Sequence, residues 1–261
     1  MERERSFFEY LRDFSENISP LDFVLVYDNI GKFFEGAFVT LQLTFLALFI
    51  GGLLAIPMAI ARAYKKPVLN QIIWGYTYAF RGTPLLVQTY LFYFGLGQFE
   101  AVRNSFLWSP ILSDPWWCVL IAFTLNTAAY TTEFLRGAIE TTPRGEIEAA
   151  KACGMSPSTR MRIVELPSAF RRALPAYSNE VIFTLHGSVI ASTVTLQDLL
   201  GVGRWLNGRY YLAYEGFITA MLFYMAIVFL ISQAFRFAER RYLGHLRPRE
   251  TKKFEKNPVP I

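Results

Sequence analysis

Glu180 is the residue whose setting says most about chemistry. It is preceded by the uncharged run Ala173 to Asn179 and followed by 17 uncharged residues. An ionisable side chain at membrane depth costs about 2.5–3.5 kcal/mol on insertion scales, so one that is kept there has a binding, relay or pairing role. Positions 180, 184 and 188 share a helical face, which sets the hydroxyls of Thr184 and Ser188 beside the carboxylate. Such a row could line a pathway and attract a cationic side chain. The competing reading is a structural ion pair with Arg171, Arg172 or Arg81. Asn126 and Glu133 bracket a second polar run, Asn126-Thr127-Ala128-Ala129-Tyr130-Thr131-Thr132-Glu133, and extend the candidate pathway. Glu133 stands against the helix macrodipole, which asks for a partner such as Arg136. Arg81 reads as an anchor for a helix break.

Reaction chemistry is absent by the same reasoning. His186 has only His245 for company, so a multi-histidine metal site is excluded. His186 reads as a packing residue. No Gly-x4-Gly-Lys-Ser/Thr phosphate loop occurs, since Gly31-Lys32 runs into Phe33, and no Gly-x-Ser-x-Gly elbow is present. The expectation is no catalytic residue, no cofactor and no metal in this chain.

The elements that must hold these residues are membrane helices. Of 261 residues, 53% are hydrophobic and 18% charged, against about 45–50% and 25% for a soluble domain. No charge falls between Gly36 and Ala61 or between Gly216 and Phe235, and about 20 residues of helix cross the hydrocarbon core. Five segments follow: Gly36 to Ala61, Val68 to Gly97, Pro115 to Thr132, Ala173 to Gln197 and Gly216 to Phe235. The second contains Arg81-Gly82-Thr83-Pro84, which predicts a short surface helix, a break, and a crossing from Pro84 to Gly97. Of the 26 Lys and Arg, 19 fall on one side of this arrangement and 7 on the other. The richer side is cytoplasmic. The expected fold class is an all-α integral membrane protein of about five transmembrane helices, N-terminus outside and C-terminus cytoplasmic. Cys118 and Cys153 then lie in different compartments. Basic residues flank the apolar segments rather than forming a patch, so nucleic acid is not an expected partner, and membrane lipid is.

The cytoplasmic loop 136–172 is too long for a connector. Gly145 to Gly154 reads as a short helix with acid in its first turn and Gly154 as its C-cap. Met155-Ser156-Pro157-Ser158 turns the chain, and a second helix from Thr159 stops at Leu166-Pro167. Glu148-Ala149-Ala150, three residues, Gly154, nine residues, then Val164-Glu165-Leu166-Pro167 resembles the EAA loop of bacterial ABC-importer permeases, with Val164 for the usual Ile. Phe80-Arg81-Gly82-Thr83-Pro84-Leu85, the run from Asn126, Leu174-Pro175-Ala176-Tyr177-Ser178-Asn179-Glu180 and Asp198-Leu199-Leu200 are similar to the polar amino-acid permeases, M-type subunits for basic amino acids or opines above all.

That resemblance implies a type I ABC importer fold with Glu148, Ala149, Ala150, Gly154, Leu166 and Pro167 coupling to a cytoplasmic ABC ATPase dimer, which binds ATP and Mg. It also implies a second permease subunit, a paralogue making a heterodimer, and a periplasmic solute-binding protein. The expected function is ATP-driven import of polar, cationic amino acids (arginine, ornithine, histidine or lysine) across the bacterial inner membrane by alternating access. The alternative is an ion-gradient-driven secondary transporter using Glu180 and Glu133 as proton relays. The expected divisions are an N-terminal periplasmic or interfacial segment 1–35, a permease domain 36–241, and a cytoplasmic tail 242–261.

Overall fold

The computed structural model describes residues 23–242. The expected segment 1–35 is therefore described only from residue 23, and the expected tail only at residue 242. Arg3, Arg5, Arg12 and His245 lie outside the described residues. Among the described residues there is no β-strand, and the α-helices are α1 (Val24–Asp28), α2 (Ile30–Ala63), α3 (Pro67–Gly82), α4 (Leu85–Tyr90), α5 (Glu100–Arg103), α6 (Pro115–Glu140), α7 (Arg144–Ala152), α8 (Pro157–Arg160), α9 (Leu166–Gly187), α10 (Leu199–Tyr210) and α11 (Ala213–Tyr242). Three of them, α2, α6 and α11, are individually long and apolar enough to cross a membrane.

The spine is the pair α2 and α6. Leu43 and Ala47 pack with Val119, Leu120 and Phe123 at one end, and Ala59 packs with Leu135 and Ile139 at the other. The two helices therefore run in the same direction. They approach closely at Gly51, where an added Cβ would stand 2.4 Å from Thr127 Cγ2 and 3.0 Å from the Thr124 carbonyl oxygen. Small residues at such crossings let membrane helices pack backbone to backbone. Gly203 and Gly216 do the same between α10 and α11. From Ala173 in one cluster to Ala191 and Val194 in the other, α9 and the 3-10 turn Ser188–Val194 run against α2 and α6. The α3–α4 segment also opposes them, from Asn70 beside Arg62 to Leu85 in the far cluster.

The break in that segment has a clear cause. Pro84 has no N–H to give the Phe80 carbonyl, and α3 ends at Gly82 with Thr83 extended. Side-chain amides replace the missing donor. Gln88 Nε2 donates to Phe80 O at 2.7 Å and to Thr83 O at 3.1 Å, while Asn126 Nδ2 reaches Phe80 O at 3.3 Å and Gln88 Oε1 at 3.0 Å. Freed backbone groups at membrane depth need such partners. The segment before the break, expected as a short surface helix, packs against α6. The Tyr76 hydroxyl donates to Leu125 O, and Thr77 bonds Glu133 at 3.0 Å, so α3 leans along α6.

The expected stop at Leu166-Pro167 is also corrected. Arg160, Met161, Glu165 and Leu166 all keep right-handed helical dihedrals, and a π turn at Met161–Glu165 joins α8 to α9. Pro167 falls in the first turn of α9, where its missing N–H breaks no regular ladder, and the wider π turn absorbs the mismatch. The second arm of the loop and α9 are one continuous helix.

Candidate functional site

Two sites take shape, one at the loop end of the bundle and one at mid-depth. At the loop end, α7 spans Arg144–Ala152 with Glu146 in its first turn. Gly154 adopts φ +72°, its N–H bonds Lys151 O at 2.9 Å, and the Met155 N–H bonds Ala150 O at 3.1 Å. This is the Schellman ending, in which a left-handed glycine satisfies the last carbonyls. Glu148 and Ala149 are exposed and Ala150 is buried, over a shallow cleft shared with Cys153, Met155 and Val164. Glu148 forms no ion pair with Lys151 among the described residues. Leu166 is half-buried and Pro167 exposed on the continuous arm.

The loop is tied to both helices that flank it. Glu146 accepts from Ser168 at 3.0 Å, and Arg172 donates to Ser168, to Ala138 O at 2.7 Å and to Thr142 Oγ1 at 2.8 Å. Tyr64 donates to Pro157 O at 3.2 Å, and Arg160 pairs with buried Glu165 at 2.6 Å. The Glu165 hydrogen bond holds the Arg160 guanidinium above its ordinary pKa. These bonds join α7 to the start of α9, and the start of α9 to the end of α6.

At mid-depth, α4, α6 and α9 enclose a cavity of about 480 Å³ lined by Asn126, Tyr130, Asn179, Glu180, Phe183 and Thr184, among others. Glu180 is buried and has no cation within 4.0 Å among the described residues, so it is paired with none of Arg171, Arg172 and Arg81. Thr127 and Thr184 flank its carboxylate, and the Arg81 charge acts on it through space. Of the five residues expected to form a pathway, the structure brings Glu180, Thr184 and Asn126 to this cavity.

Ser188 and Glu133 lie elsewhere. At Ser188 the helix tightens to 3-10, and the hydroxyl turns to Leu185 O at 2.7 Å and across to Tyr224 at 3.3 Å. Tyr224 in turn bonds Asp198, which caps α10 through Gly201 N–H at 2.9 Å. Glu133 is the hub of an ionic cluster at the loop end. It meets Arg62 of α2 at 3.0 Å, Arg136 at 3.0 Å and Thr77 of α3 at 3.0 Å, while Arg136 also holds Glu140 at 2.7 Å. Arg136 is the expected partner; Arg62 and Thr77 are additions that sequence spacing does not disclose. His186 is exposed on the isolated chain rather than packed. The cavity residues that sequence reasoning missed are Tyr130 and Asn179, and behind them Gln88, an amide four residues after a proline in an apolar run.

Helices of alternating direction around a charged mid-depth cavity, with a capped helical hairpin hung between two of them, define the membrane-spanning subunit of a transporter. The chain belongs to the family of binding-protein-dependent transport system inner membrane components, whose pattern matches residues 29–244. It is 43% identical over 221 residues to the histidine/lysine/arginine/ornithine transport system permease protein HisM of Escherichia coli K12, covering 85% of this chain and 93% of that one. The nopaline permease NocM of Agrobacterium fabrum is 38% identical over 230 residues, covering 88% and 95%. Among solved structures, an amino acid ABC transporter with histidines superposes with a TM-score of 0.73 at 30% identity, covering 85% of this chain and all of that one. The methionine transporter MetNI, at 19% identity and a TM-score of 0.66, shares the fold over 82% of this chain. The chain is thus a membrane permease subunit of an ABC transporter and not itself the catalytic subunit. That membership sets aside the ion-gradient alternative.

Proposed function

We propose that this permease imports cationic amino acids across the bacterial inner membrane, in a complex with a cytoplasmic ATPase dimer, a paralogous second permease and a periplasmic solute-binding protein. ATP and magnesium belong to the ATPase. The observation that carries the substrate class is the buried, unpaired Glu180 in a cavity otherwise lined by neutral groups. A carboxylate at this depth, flanked by Thr127, Thr184 and Asn126, attracts a side-chain guanidinium or ammonium and offers an anionic amino acid nothing. Two relatives, named for transport of histidine, lysine, arginine and ornithine and of nopaline, agree with that chemistry.

Coupling runs through α7. Glu148 and Ala149 face outward, free to meet basic groups of the ATPase, and Ala150 and Gly154 keep the helix close to the arm beneath it. Leu166 and Pro167 lie on the arm that leads from α8 into α9, so ATPase closure at α7 reaches Glu180 along one unbroken helix whose bending points are the π turn at Met161–Glu165 and Pro175. The expected orientation puts this loop in the cytoplasm. Glu133 and Ser188 hold the helix ends in register around the pathway.

The test is uptake of labelled arginine into vesicles carrying the whole complex, with and without internal ATP. Glu148→Arg is expected to abolish ATP-dependent uptake while the complex still assembles. Glu180→Gln is expected to lower uptake of arginine and lysine by about tenfold or more, the scale of one charge-assisted contact. Uptake that ignores internal ATP and collapses with the proton gradient overturns the proposal.

A further inference from the structure

Arg81 stands where a lone cation is costly. It lies next to the Phe80 carbonyl that Asn126 reaches, and Asn126 is near the middle of the 26-residue α6. Its sequence position suggests an anchor for the helix break, yet Gln88 and Asn126 already hold the freed carbonyls there. The guanidinium is left over. It is exposed and sits 5.3 Å from the ring centroid of Tyr130, whose hydroxyl bonds the Arg81 carbonyl at 3.3 Å. The ion pairs of the described residues are Arg62–Glu133, Arg136–Glu133, Arg136–Glu140 and Arg160–Glu165, so neither Arg81 nor Glu180 has an ionic partner among them.

Two unlike charges at membrane depth attract strongly, because the interaction grows as the surroundings become less polar. Here they are held apart. Glu180 is fixed on α9, inside the cavity, and Arg81 is fixed at the end of α3, on the face of Tyr130, which is itself part of the cavity wall. A cavity with an unpaired anion inside it and, against its Tyr130 wall, an unpaired cation whose charge still reaches that anion is complementary to a ligand that carries both charges at separate ends.

We propose that Arg81 is the anchor for the α-carboxylate of the transported amino acid. The assignment rests on the reading that Glu180 takes the cationic side chain, and it adds the opposite pole. A guanidinium suits the task because its planar N–H fork meets both carboxylate oxygens, whereas an ammonium meets them as a point charge. Tyr130 positions the fork by stacking beneath it. The consequence is selection for an intact amino acid. A ligand with the right side chain but no carboxylate leaves Arg81 unpaired at depth and is rejected.

The discriminating probes are L-arginine and L-argininamide, which share the side chain and differ in the carboxylate. Their binding to the assembled permease–ATPase complex is measured by calorimetry without the solute-binding protein, so that its selectivity does not enter. The wild-type complex is expected to prefer arginine by about tenfold to a hundredfold, the scale of a charge-assisted pair. Arg81→Gln is expected to weaken arginine to the level of the amide, and Arg81→Lys to keep only part of the preference. Glu180→Gln is expected to weaken both ligands alike and leave their ratio unchanged. An Arg81→Gln complex that still prefers arginine overturns the anchor. If the Gln variant does not assemble, an Arg81→Lys complex with the full wild-type preference overturns it instead. Unchanged affinity for both ligands in Glu180→Gln overturns the side-chain reading while the effect of Arg81 on the ratio stands. A wild-type complex that binds neither ligand, or both equally, overturns the proposal.

Discussion

Gly51→Ala tests the packing that carries the cavity. The Cβ it adds would stand 2.4 Å from Thr127 Cγ2, 3.0 Å from Thr124 O and 3.2 Å from Ala128 N. Carbon atoms in contact prefer about 3.5–4.0 Å, so the methyl contact alone is short by about 1.1–1.6 Å. Thr127 is β-branched and 1% exposed, so it cannot rotate clear, and two of the three contacts are backbone. The helices must separate. Overpacking of this kind costs about 1–3 kcal/mol, and for a chain of this size each kcal/mol moves the melting temperature by about 2–4 °C. The expected drop is about 2–12 °C for the complex in detergent, followed by tryptophan fluorescence. Thr127→Ser removes the Cγ2 atom and relieves the worst contact but not the two with backbone, so the double variant is expected to recover part of the loss. The coupling between the two substitutions should reach about 0.5 kcal/mol or more. Because Thr127 also flanks Glu180, arginine affinity should fall with stability in the single variant. A Gly51→Ala complex that melts within about 1 °C of wild type, or gains nothing from Thr127→Ser, refutes the tight α2–α6 crossing.

Two further predictions concern groups that hold the bundle in shape around the cavity. Glu133→Gln leaves Arg62, 8% exposed, beside Arg136 with its shared carboxylate gone; breaking a buried pair from one side costs about 3–5 kcal/mol. Thermal melts should show the single variant well below the pair Arg62→Met with Glu133→Leu, and equal losses would contradict the hub. Gln88→Leu strips the Phe80 and Thr83 carbonyls of their amide donor, for about 1–3 kcal/mol, and melting should fall accordingly while the helical circular dichroism is kept. An unchanged melt would contradict the part given to Gln88 at the break.

What could be read in the sequence is what repeats locally. The long uncharged runs give α2 and α11, and the α7 ending is written in Gly154, because only glycine takes that left-handed turn without strain. The spacing of Glu180 and Thr184 places both on the cavity because α9 is regular through Gly187. The same arithmetic fails one turn later. At Ser188 the chain turns to 3-10, and the hydroxyl is taken by Leu185 O and Tyr224 instead of facing the cavity. Glu133 is the other kind of miss. In sequence it is an acid at a helix end with Arg136 for company, but its deciding partner, Arg62, is 71 positions away and meets it only after α2 and α6 have packed.

Pro167 is the case in which a strong local rule gives the wrong architecture, and the correction matters most for function. A proline after seven helical residues reads as a stop, and a stop would leave α8 as a hinged flap under the membrane. The π turn at Met161–Glu165 turns the same proline into the opening turn of a longer helix. From Arg160 to Glu180 that helix spans roughly 30 Å at 1.5 Å per residue. A flap would dissipate motion arriving at α7; under the proposed coupling, an unbroken arm bound to α7 through Glu146, Ser168 and Arg172 carries a tilt at one end towards the other, bending at Pro175. The fixed interval between the Glu-Ala-Ala helix and Leu166-Pro167 then has a mechanical meaning. On the proposed coupling through α7, it sets where the π turn falls relative to the Schellman turn, and so whether the carboxylate of Glu180 moves with α7 or stays behind.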